Sequence, residues 1–210
     1  MNLIIAEKPE VGRAIAATLS KNAINKKGYI ELPDCDSVVS WAVGHLMREQ
    51  EPHDYDERYK QWSLDDLPLA WPPFLLPNES TKAQLNTLKR LIKQCNEVTN
   101  GCDVDAAGQQ IFDSIMQYVG CNKPQHRVLI TDNNRIAKAF KDKRDNADYH
   151  GLGLNERGRA IADLRYGVNL SRVLSLQAEK QGYQGRLHTG RVQASFLGLA
   201  VRRERTIQVF

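Results

Sequence analysis

The chain has 210 residues, of which 41% are hydrophobic and 26% are charged, enough to build one large domain or one domain and part of another. No apolar run approaches the roughly 20 residues that a membrane-spanning helix needs. Glu7 and Lys8 interrupt the apolar start, which excludes a signal peptide. The four cysteines form no CxxC pair, so neither a zinc site nor a disulfide framework is indicated, and we expect a reducing cytoplasm.

The charges are distributed unevenly along the chain. Residues 151–210 hold 10 Lys and Arg against 4 Asp and Glu, whereas residues 1–150 hold 19 against 21. Nine of the ten basic residues in the last segment are arginines, which suit two-pronged contacts with phosphate. This balance favours a phosphodiester substrate, although a solvated helix face would also account for some of the charges.

The first predicted elements form the start of an α/β sheet. Residues 2–6, with the apolar run Leu3-Ile4-Ile5-Ala6, are predicted to be a buried strand, and the apolar spacing from Pro9 to Leu19 predicts a helix. The segments Tyr29–Leu32 and Val38–Val43 have the composition of a β-hairpin. Glu7 therefore follows directly on the end of a strand.

The middle of the chain is irregular. Residues 51–78 contain five prolines and several aromatic residues, which predicts a long loop. Its aromatic side chains are suited either to stacking on nucleobases or, as we favour, to anchoring the loop. After Ser80 or Thr81, which can cap a helix, the apolar positions predict one; they are Leu85, Leu88, Leu91 and Ile92.

Asp103 and Asp105 form the main candidate site. They follow the β-branched residues Val98 and Thr99 and precede a predicted helix, so we expect them at the carboxyl end of a strand, where open α/β sheets bind ligands. With Glu7 at a second strand end, three carboxylates could hold Mg²⁺, and phosphate oxygens could complete its shell. The alternative is that the two aspartates only cap a helix in a surface turn.

The rest of the chain changes from α/β to helical character. Arg127–Ile130 is predicted to be a strand, and Asp132 to cap a short helix. The charged stretch 141–150 indicates a linker, which places a domain boundary between residues 150 and 151. Two helices are then predicted, over residues 155–180 and 193–205, with a glycine-rich loop between them.

Taken together, these segments resemble the N-terminal part of a type IA DNA topoisomerase, closest to the topoisomerase III branch. No single motif is decisive, but eight occur in the family's order over nearly the whole chain. They are Leu3-Ile4-Ile5-Ala6-Glu7-Lys8-Pro9, Gly44-His45-Leu46, Tyr59 and Trp62 with Leu67-Pro68, Asp103-Val104-Asp105, Arg159 with Asp163, Tyr166-Gly167-Val168-Asn169-Leu170-Ser171-Arg172, Gly190-Arg191-Val192-Gln193, and Arg202-Arg203-Glu204.

The resemblance implies a fold and a catalytic site. Residues 1–150 would form a Toprim domain, a Rossmann-like parallel sheet flanked by helices, and residues 151–210 the incomplete start of an α-helical domain. Glu7 would protonate the departing 3′ oxygen and help near the metal. Asp103 and Asp105 would hold Mg²⁺, and Lys8 would stabilise charge on the scissile phosphate.

The resemblance also implies a nucleic-acid partner. Arg159, Arg172, Arg191 and Gln193 would bind or position single-stranded DNA, and Asp163 would orient Arg159; a structural salt bridge would give the same i, i+4 spacing. The full-length enzyme would relax or decatenate DNA in the bacterial cytoplasm, on the nucleoid or a plasmid, with negatively supercoiled DNA as a substrate.

The chain departs from the family at three points. Ala106 and Ala107 replace an arginine and a third acid near the aspartates, which should weaken Mg²⁺ binding, and Ala194-Ser195 replaces a small-residue–proline pair. None of the seven tyrosines has the setting of the family's nucleophile. We therefore expect a fragment of a longer enzyme that binds metal and single-stranded DNA without cleaving it. The alternatives are a non-enzymatic DNA-binding module with a decayed metal site and another Toprim enzyme, such as a nuclease or primase-like protein.

Overall fold

The computed structural model describes residues 1–72 and 74–209 and divides the chain into two compact units. Unit 1 comprises residues 1–49 and 75–157, and unit 2 comprises residues 50–74 and 158–210. Pro73 of the predicted loop and Phe210 of the predicted helical domain lie outside the described residues. Residues 50–74 belong to the second unit although they precede most of the first. The predicted boundary between residues 150 and 151 falls at the start of a long helix, whereas the two units divide between residues 157 and 158.

Unit 1 contains a mixed sheet of seven strands in the spatial order β2-β3-β4-β1-β7-β8-β9. The central pairs β1–β4, β1–β7 and β7–β8 are parallel, whereas the pairs at both edges are antiparallel. The strands are β1 (Asn2–Ala6), β2 (Ile24–Lys26), β3 (Tyr29–Leu32), β4 (Ser37–Trp41), β7 (Glu97–Gly101), β8 (Gln125–Arg127) and β9 (Arg144–Asp145), and a separate antiparallel pair is formed by β5 (Met47–Glu49) and β6 (Leu75–Pro77).

Residues 3–6 of strand β1 are all apolar because both faces of the strand are buried there. Leu3 and Ile5 belong to one core cluster, which includes residues of α3 (Lys82–Gln94) and α4 (Ala106–Val119). Ile4 and Ala6 belong to a second cluster, with residues of α1 (Pro9–Leu19) and α5 (Ile136–Lys141). The sheet is therefore covered by helices on both faces, as the predicted α/β class requires.

Most local predictions are confirmed. The strand over residues 2–6, the helix from Pro9 to Leu19 and the hairpin of β3 and β4 are present. The strand predicted for residues 127–130 instead spans 125–127, and the predicted linker contains β9 and a 3₁₀ turn (Asn146–Tyr149). Helix α6 (His150–Lys180) begins five residues earlier than predicted, and α7 spans Arg191–Val209.

Unit 2 joins residues 50–74, with the short helix α2 (Pro52–Tyr55), to the later helices through hydrogen bonds. Asn169 of α6 accepts from the backbone N–H of Leu69 (2.6 Å) and donates to its carbonyl (3.2 Å). Arg165 donates to the carbonyl of Trp71, whose indole N–H is bonded to the Gln50 carbonyl. Trp71 is buried, so this aromatic residue anchors the segment, as we favoured.

Candidate functional site

The pairing of β1 with β7 brings together the two segments that carry Glu7 and Asp103. Strands β1 and β7 are parallel neighbours, and Ala6 at the end of β1 lies opposite Gly101 at the end of β7. Glu7 and Asp103, which follow these strands, therefore lie at the same edge. The backbone N–H of Asp103 donates to Glu7 Oε2 at 3.3 Å, which ties the two segments to each other.

Lys8 lies between the two carboxylates. Its Nζ is 3.5 Å from Glu7 Oε1 and 3.3 Å from Asp103 Oδ2. The hydrogen bond and the negative charge of Asp103, with a smaller contribution from Glu7, raise the pKa of Lys8 above 10.5. The Lys8 side chain is 54% exposed and that of Glu7 only 12%, so the lysine reaches in from solvent over a mostly covered acid.

Asp105 has a different role in this structure. Its side chain accepts a hydrogen bond of 2.7 Å from the backbone N–H of Gly108 and caps the start of α4. In the part of the chain that the structure describes, no three His, Cys, Asp or Glu side chains are grouped as ligands for a metal ion. The structure thus brings Glu7, Lys8 and Asp103 together but uses Asp105 as a helix cap.

The turn from Asp103 to Gly108 is tightly packed. A Cβ atom on Gly108 would lie 2.3 Å from the backbone oxygen of Asp103 and 2.9 Å from its nitrogen. Any side chain there would have to push the turn open, because backbone atoms at this distance cannot make way as a flexible side chain can. Only glycine at position 108 allows Asp103 to take its place beside Glu7.

Arg127 donates a hydrogen bond to this turn. It was not among the predicted site residues. It is 2% exposed, and its Nη2 donates to the backbone oxygen of Asp103 at 2.6 Å. Burial lowers the pKa of Arg127. A signal was present in the sequence, since Arg127 stands at the head of the apolar run Val128–Ile130, where a charged residue needs a specific partner.

The donor atoms at this edge suit a hard cation. Glu7 and Asp103 already direct oxygen atoms at one cationic group, the Lys8 ammonium. Mg²⁺ is commonly held by one or two carboxylates together with water and substrate phosphates rather than by a complete protein cage. Two carboxylates, with Asp105 close by in sequence, therefore fit a site that a phosphate would complete.

The remaining predicted residues belong to unit 2. Asp163 accepts two hydrogen bonds from Arg191, at 2.8 and 3.2 Å, and these lower the pKa of Asp163, with a smaller effect from the charge of Arg159. Arg172 is only 4% exposed and donates to the carbonyl of Tyr59 at 2.8 Å. Gln193, on α7, lines an open groove.

Comparison with known proteins places these features in a family. The Toprim domain family matches residues 2–133, which include Glu7, Lys8 and both aspartates. The chain is 38% identical to a DNA topoisomerase 3 of Vibrio cholerae and 40% identical to one of Salmonella typhimurium. The alignments cover 99% and 100% of this chain but 33% of each relative, so the chain spans about a third of their length.

The fold is also found in a solved structure. Full-length topoisomerase I from Thermotoga maritima superimposes with a TM-score of 0.69 at 21% identity, over 99% of this chain and 31% of that one. The resemblance to type IA topoisomerases and the predicted α/β fold with following helices are both confirmed. Within residues 1–72 and 74–209, no helix has the length and hydropathy to cross a bilayer. With more than half of its residues matched, the chain belongs to the Toprim domain family.

Proposed function

We propose that this chain is the metal- and DNA-binding part of a type IA DNA topoisomerase of the topoisomerase III kind. The observation that carries the proposal is the convergence of Glu7, Lys8 and Asp103 at the ends of two neighbouring parallel strands. Its support from similarity is the match to DNA topoisomerase 3 proteins along the whole chain. The full-length protein would cleave and rejoin single-stranded DNA to relax or decatenate it, in the bacterial cytoplasm on nucleoid or plasmid DNA.

Mg²⁺ is the proposed cofactor, in agreement with the divalent-metal binding of topoisomerase Toprim domains. Glu7 and Asp103 would hold it, and Asp105 would contribute through the oxygen that does not cap α4. When bound, the ion would supply positive charge against phosphate oxygens. Because the two carboxylates now share Lys8, metal binding would require the lysine to leave them.

Lys8 gains a second role from this exchange. Once released, its ammonium would pair with the scissile phosphate and stabilise the charge that develops there. Its exposed side chain leaves room for that movement. Glu7, mostly covered and fixed by the Asp103 backbone, would protonate the departing 3′ oxygen when its carboxyl group carries a proton, and would help to hold the metal when it is ionised.

In unit 2, we propose that single-stranded DNA is bound by the arginines predicted from the sequence. Asp163 holds Arg191 in place through two hydrogen bonds, so Arg191 would present a fixed guanidinium. Arg159 and Gln193 would add contacts, and Arg172 would act from inside the unit because it is buried. No tyrosine has the predicted nucleophile setting, so the 210-residue chain would bind strands without cutting them.

Calorimetric titration of Mg²⁺ with and without a short oligothymidylate tests the proposal. We expect weak binding to the free chain and tighter binding with the strand, because a phosphate would complete the metal shell. Asp103→Asn should weaken Mg²⁺ binding by about tenfold or more. Even the loss of a residue that only hydrogen-bonds a metal ligand typically lowers metal affinity by about 10–100-fold. Asp148→Asn removes an exposed carboxylate elsewhere in unit 1 and is the matched control. Equal Mg²⁺ affinity in all three proteins would contradict the assigned site.

A further inference from the structure

Four polar side chains of unit 1 form a hydrogen-bonded group at the base of the turn that carries the two candidate aspartates. They are Asn100 of β7, Gln109 and Asp113 of α4, and Asn146 of the 3₁₀ turn before α6. Asn100 and Gln109 are 0% exposed and Asn146 is 5% exposed. Polar groups buried this deeply need specific partners, and these residues find them in one another. None of the four was among the predicted site residues.

Asn100 and Gln109 close the turn from its two sides. Residues 101–108 lie between them, and Asn100 Nδ2 donates to Gln109 Oε1 at 3.1 Å. Asn100 Oδ1 also accepts from the backbone N–H of Cys102 at 3.0 Å, and the backbone N–H of Gln109 donates to the Asp105 carbonyl at 3.1 Å. One bond between side chains therefore joins the two arms of the segment that contains both aspartates.

Asn146 fastens both arms from a distant part of the chain. Its Oδ1 accepts from Asn100 Nδ2 at 3.2 Å and from Gln109 Nε2 at 3.1 Å, so both lone pairs of this oxygen are used. Asn146 is 37 positions from Gln109 in the sequence. We call these three side chains, Asn100, Gln109 and Asn146, the amide clasp.

Asp113 sets the direction of the hydrogen bonds in the amide clasp. Its Oδ1 accepts from Gln109 Nε2 at 2.8 Å and from Asn146 Nδ2 at 3.3 Å. Because an ionised carboxylate can only accept hydrogen bonds, both amides turn their NH₂ groups toward Asp113 and their oxygens toward Asn100. Asn100 then donates to both oxygens, and its own oxygen is left to accept from the backbone of the turn. The clasp therefore has a single arrangement of donors and acceptors.

A turn that is fixed in this way favours one kind of cation. Mg²⁺ demands nearly ideal octahedral geometry with oxygen ligands at about 2.0–2.1 Å, whereas Ca²⁺ accepts more ligands at about 2.3–2.6 Å in flexible arrangements. Asp103 is held on both sides, because its N–H donates to Glu7 and its carbonyl accepts from Arg127. With the clasp closed as well, the turn has little freedom to widen around the larger ion.

We propose that Asn100, Gln109 and Asn146 are positioning residues of the metal site: the amide clasp holds the turn in one geometry and thereby sets the preference of the site for Mg²⁺ over Ca²⁺. The inference rests on the proposed function for the metal and for its ligands, Glu7 and Asp103. The clasp acts through the backbone of the turn and not on the ion itself. Residues that support metal ligands in this indirect way typically change metal affinity by about 10–100-fold when they are replaced.

Calorimetric titration of Mg²⁺ and, separately, of Ca²⁺ into the 210-residue chain with oligothymidylate present tests the clasp. Gln109→Met keeps the length of the side chain but removes its hydrogen bonds, while Asn100 and Asp113 each keep their bond to Asn146, so the fold should hold. We expect Mg²⁺ affinity to fall by about tenfold, with a much smaller change for Ca²⁺. Gln110→Met is the matched control on the same helix: Gln110 is 8% exposed, its Oε1 has no hydrogen-bond partner within the described residues, and its replacement should change neither affinity.

Asn146→Leu repeats the test from the distant segment. It leaves the direct bond between Asn100 and Gln109 in place, so the ratio of Mg²⁺ to Ca²⁺ affinity should fall in the same direction but by less. Urea denaturation of each variant separates a loss of metal binding from a loss of folded protein. If Gln109→Met does not fold, Asn146→Leu decides the outcome.

The deciding quantity is the ratio of the two affinities. An unchanged ratio in the folded variants, whether neither affinity moves or both fall alike, would overturn the proposal, because a merely structural role weakens both ions to the same extent. If the parent chain still binds Mg²⁺ and Asp103→Asn removes that binding, only the clasp is rejected and the proposed function stands. If the parent chain binds neither ion with the strand present, the assigned metal site is wrong and the clasp fails with it.

Discussion

At the ends of β1 and β7, Lys8 lies between two carboxylates, whereas at Trp62 two guanidinium groups share one ring with no paired carboxylate among the described residues. The first region has two negative charges against one positive charge, and a new cation can enter only by displacing the lysine. In the second region, Arg172 and Arg186 form no ion pair among the described residues, although the charges of Asp66 and Glu51 act on Arg172 from a distance. The contrast separates a pair of carboxylates that a side-chain cation bridges from a pair of guanidinium groups that no carboxylate bridges.

The largest effect is expected from a substitution that opens the turn from Asp103 to Gly108. Gly108→Ala places a methyl group 2.3 Å from the Asp103 oxygen, and we expect a loss of about 1–3 kcal/mol in the free energy of unfolding, as for other overpacked positions. Helix propensity alone would predict the opposite sign. Urea denaturation measures the change, and Mg²⁺ binding should disappear with it.

The matched control for that change is Gly158→Ala. Gly158 lies within α6, and a Cβ there would meet no atom within 4 Å. The variant should therefore be more stable than the parent by about 0.5–1 kcal/mol, the ordinary helix preference for alanine. Equal effects of the two glycine variants would show that the turn at Asp103 tolerates a side chain.

Asp105 allows the cap and the metal ligand to be separated. Asp105→Ala removes both functions and should cost about 0.5–2 kcal/mol of stability, whereas Asp105→Ser keeps a capping oxygen and should cost little. If Asp105 also holds Mg²⁺, both variants should lower the Mg²⁺ affinity to the same extent, because both remove the carboxylate charge. Thermal unfolding and calorimetry on the pair give the two readouts, and a serine variant with the parent's Mg²⁺ affinity would assign Asp105 to capping alone.

Lys8→Met should have the smallest effect. It removes the cation that lies between Glu7 and Asp103 and so tests whether the lysine competes with Mg²⁺. Without the ammonium, Glu7 and Asp103 are free to bind a cation, and Mg²⁺ affinity should rise by up to about fivefold, the usual upper range for an exposed ion pair. Because the pKa of Lys8 is raised, the ammonium persists through neutral pH, and the ratio of the two affinities should not change there. Calorimetry at two neutral pH values measures this; weaker binding in the variant would mean that Lys8 assists the metal.

The sequence predicted those parts of the site that depend on neighbouring strands. The apolar run before Glu7 and the β-branched residues before Asp103 predict two buried strands, and parallel strands that pair bring their ends together. The helix-capping role of Asp105 was left open because both interpretations use the same residue type at the same spacing. Only the hydrogen bond from Gly108 distinguishes them.

Contacts between distant segments could not be predicted in this way. Asn146 lies in the stretch interpreted as a linker, yet it is buried and accepts a hydrogen bond from Asn100 of β7. A polar network of this kind leaves no hydrophobic periodicity in the sequence. Likewise, Arg186 and Trp62 are 124 positions apart, and nothing in either local pattern indicates that they stack.

The pairing of β5 with β6 has a consequence for how the chain is assembled. Glu49 lies opposite Leu75 in the antiparallel register, so the segment between them leaves and re-enters unit 1 at adjacent positions. The segment is in effect an insertion at the tip of a hairpin, and a two-residue turn would suffice to join its ends. In evolutionary terms, such a junction lets a segment be inserted or lost while the order of the strands stays the same.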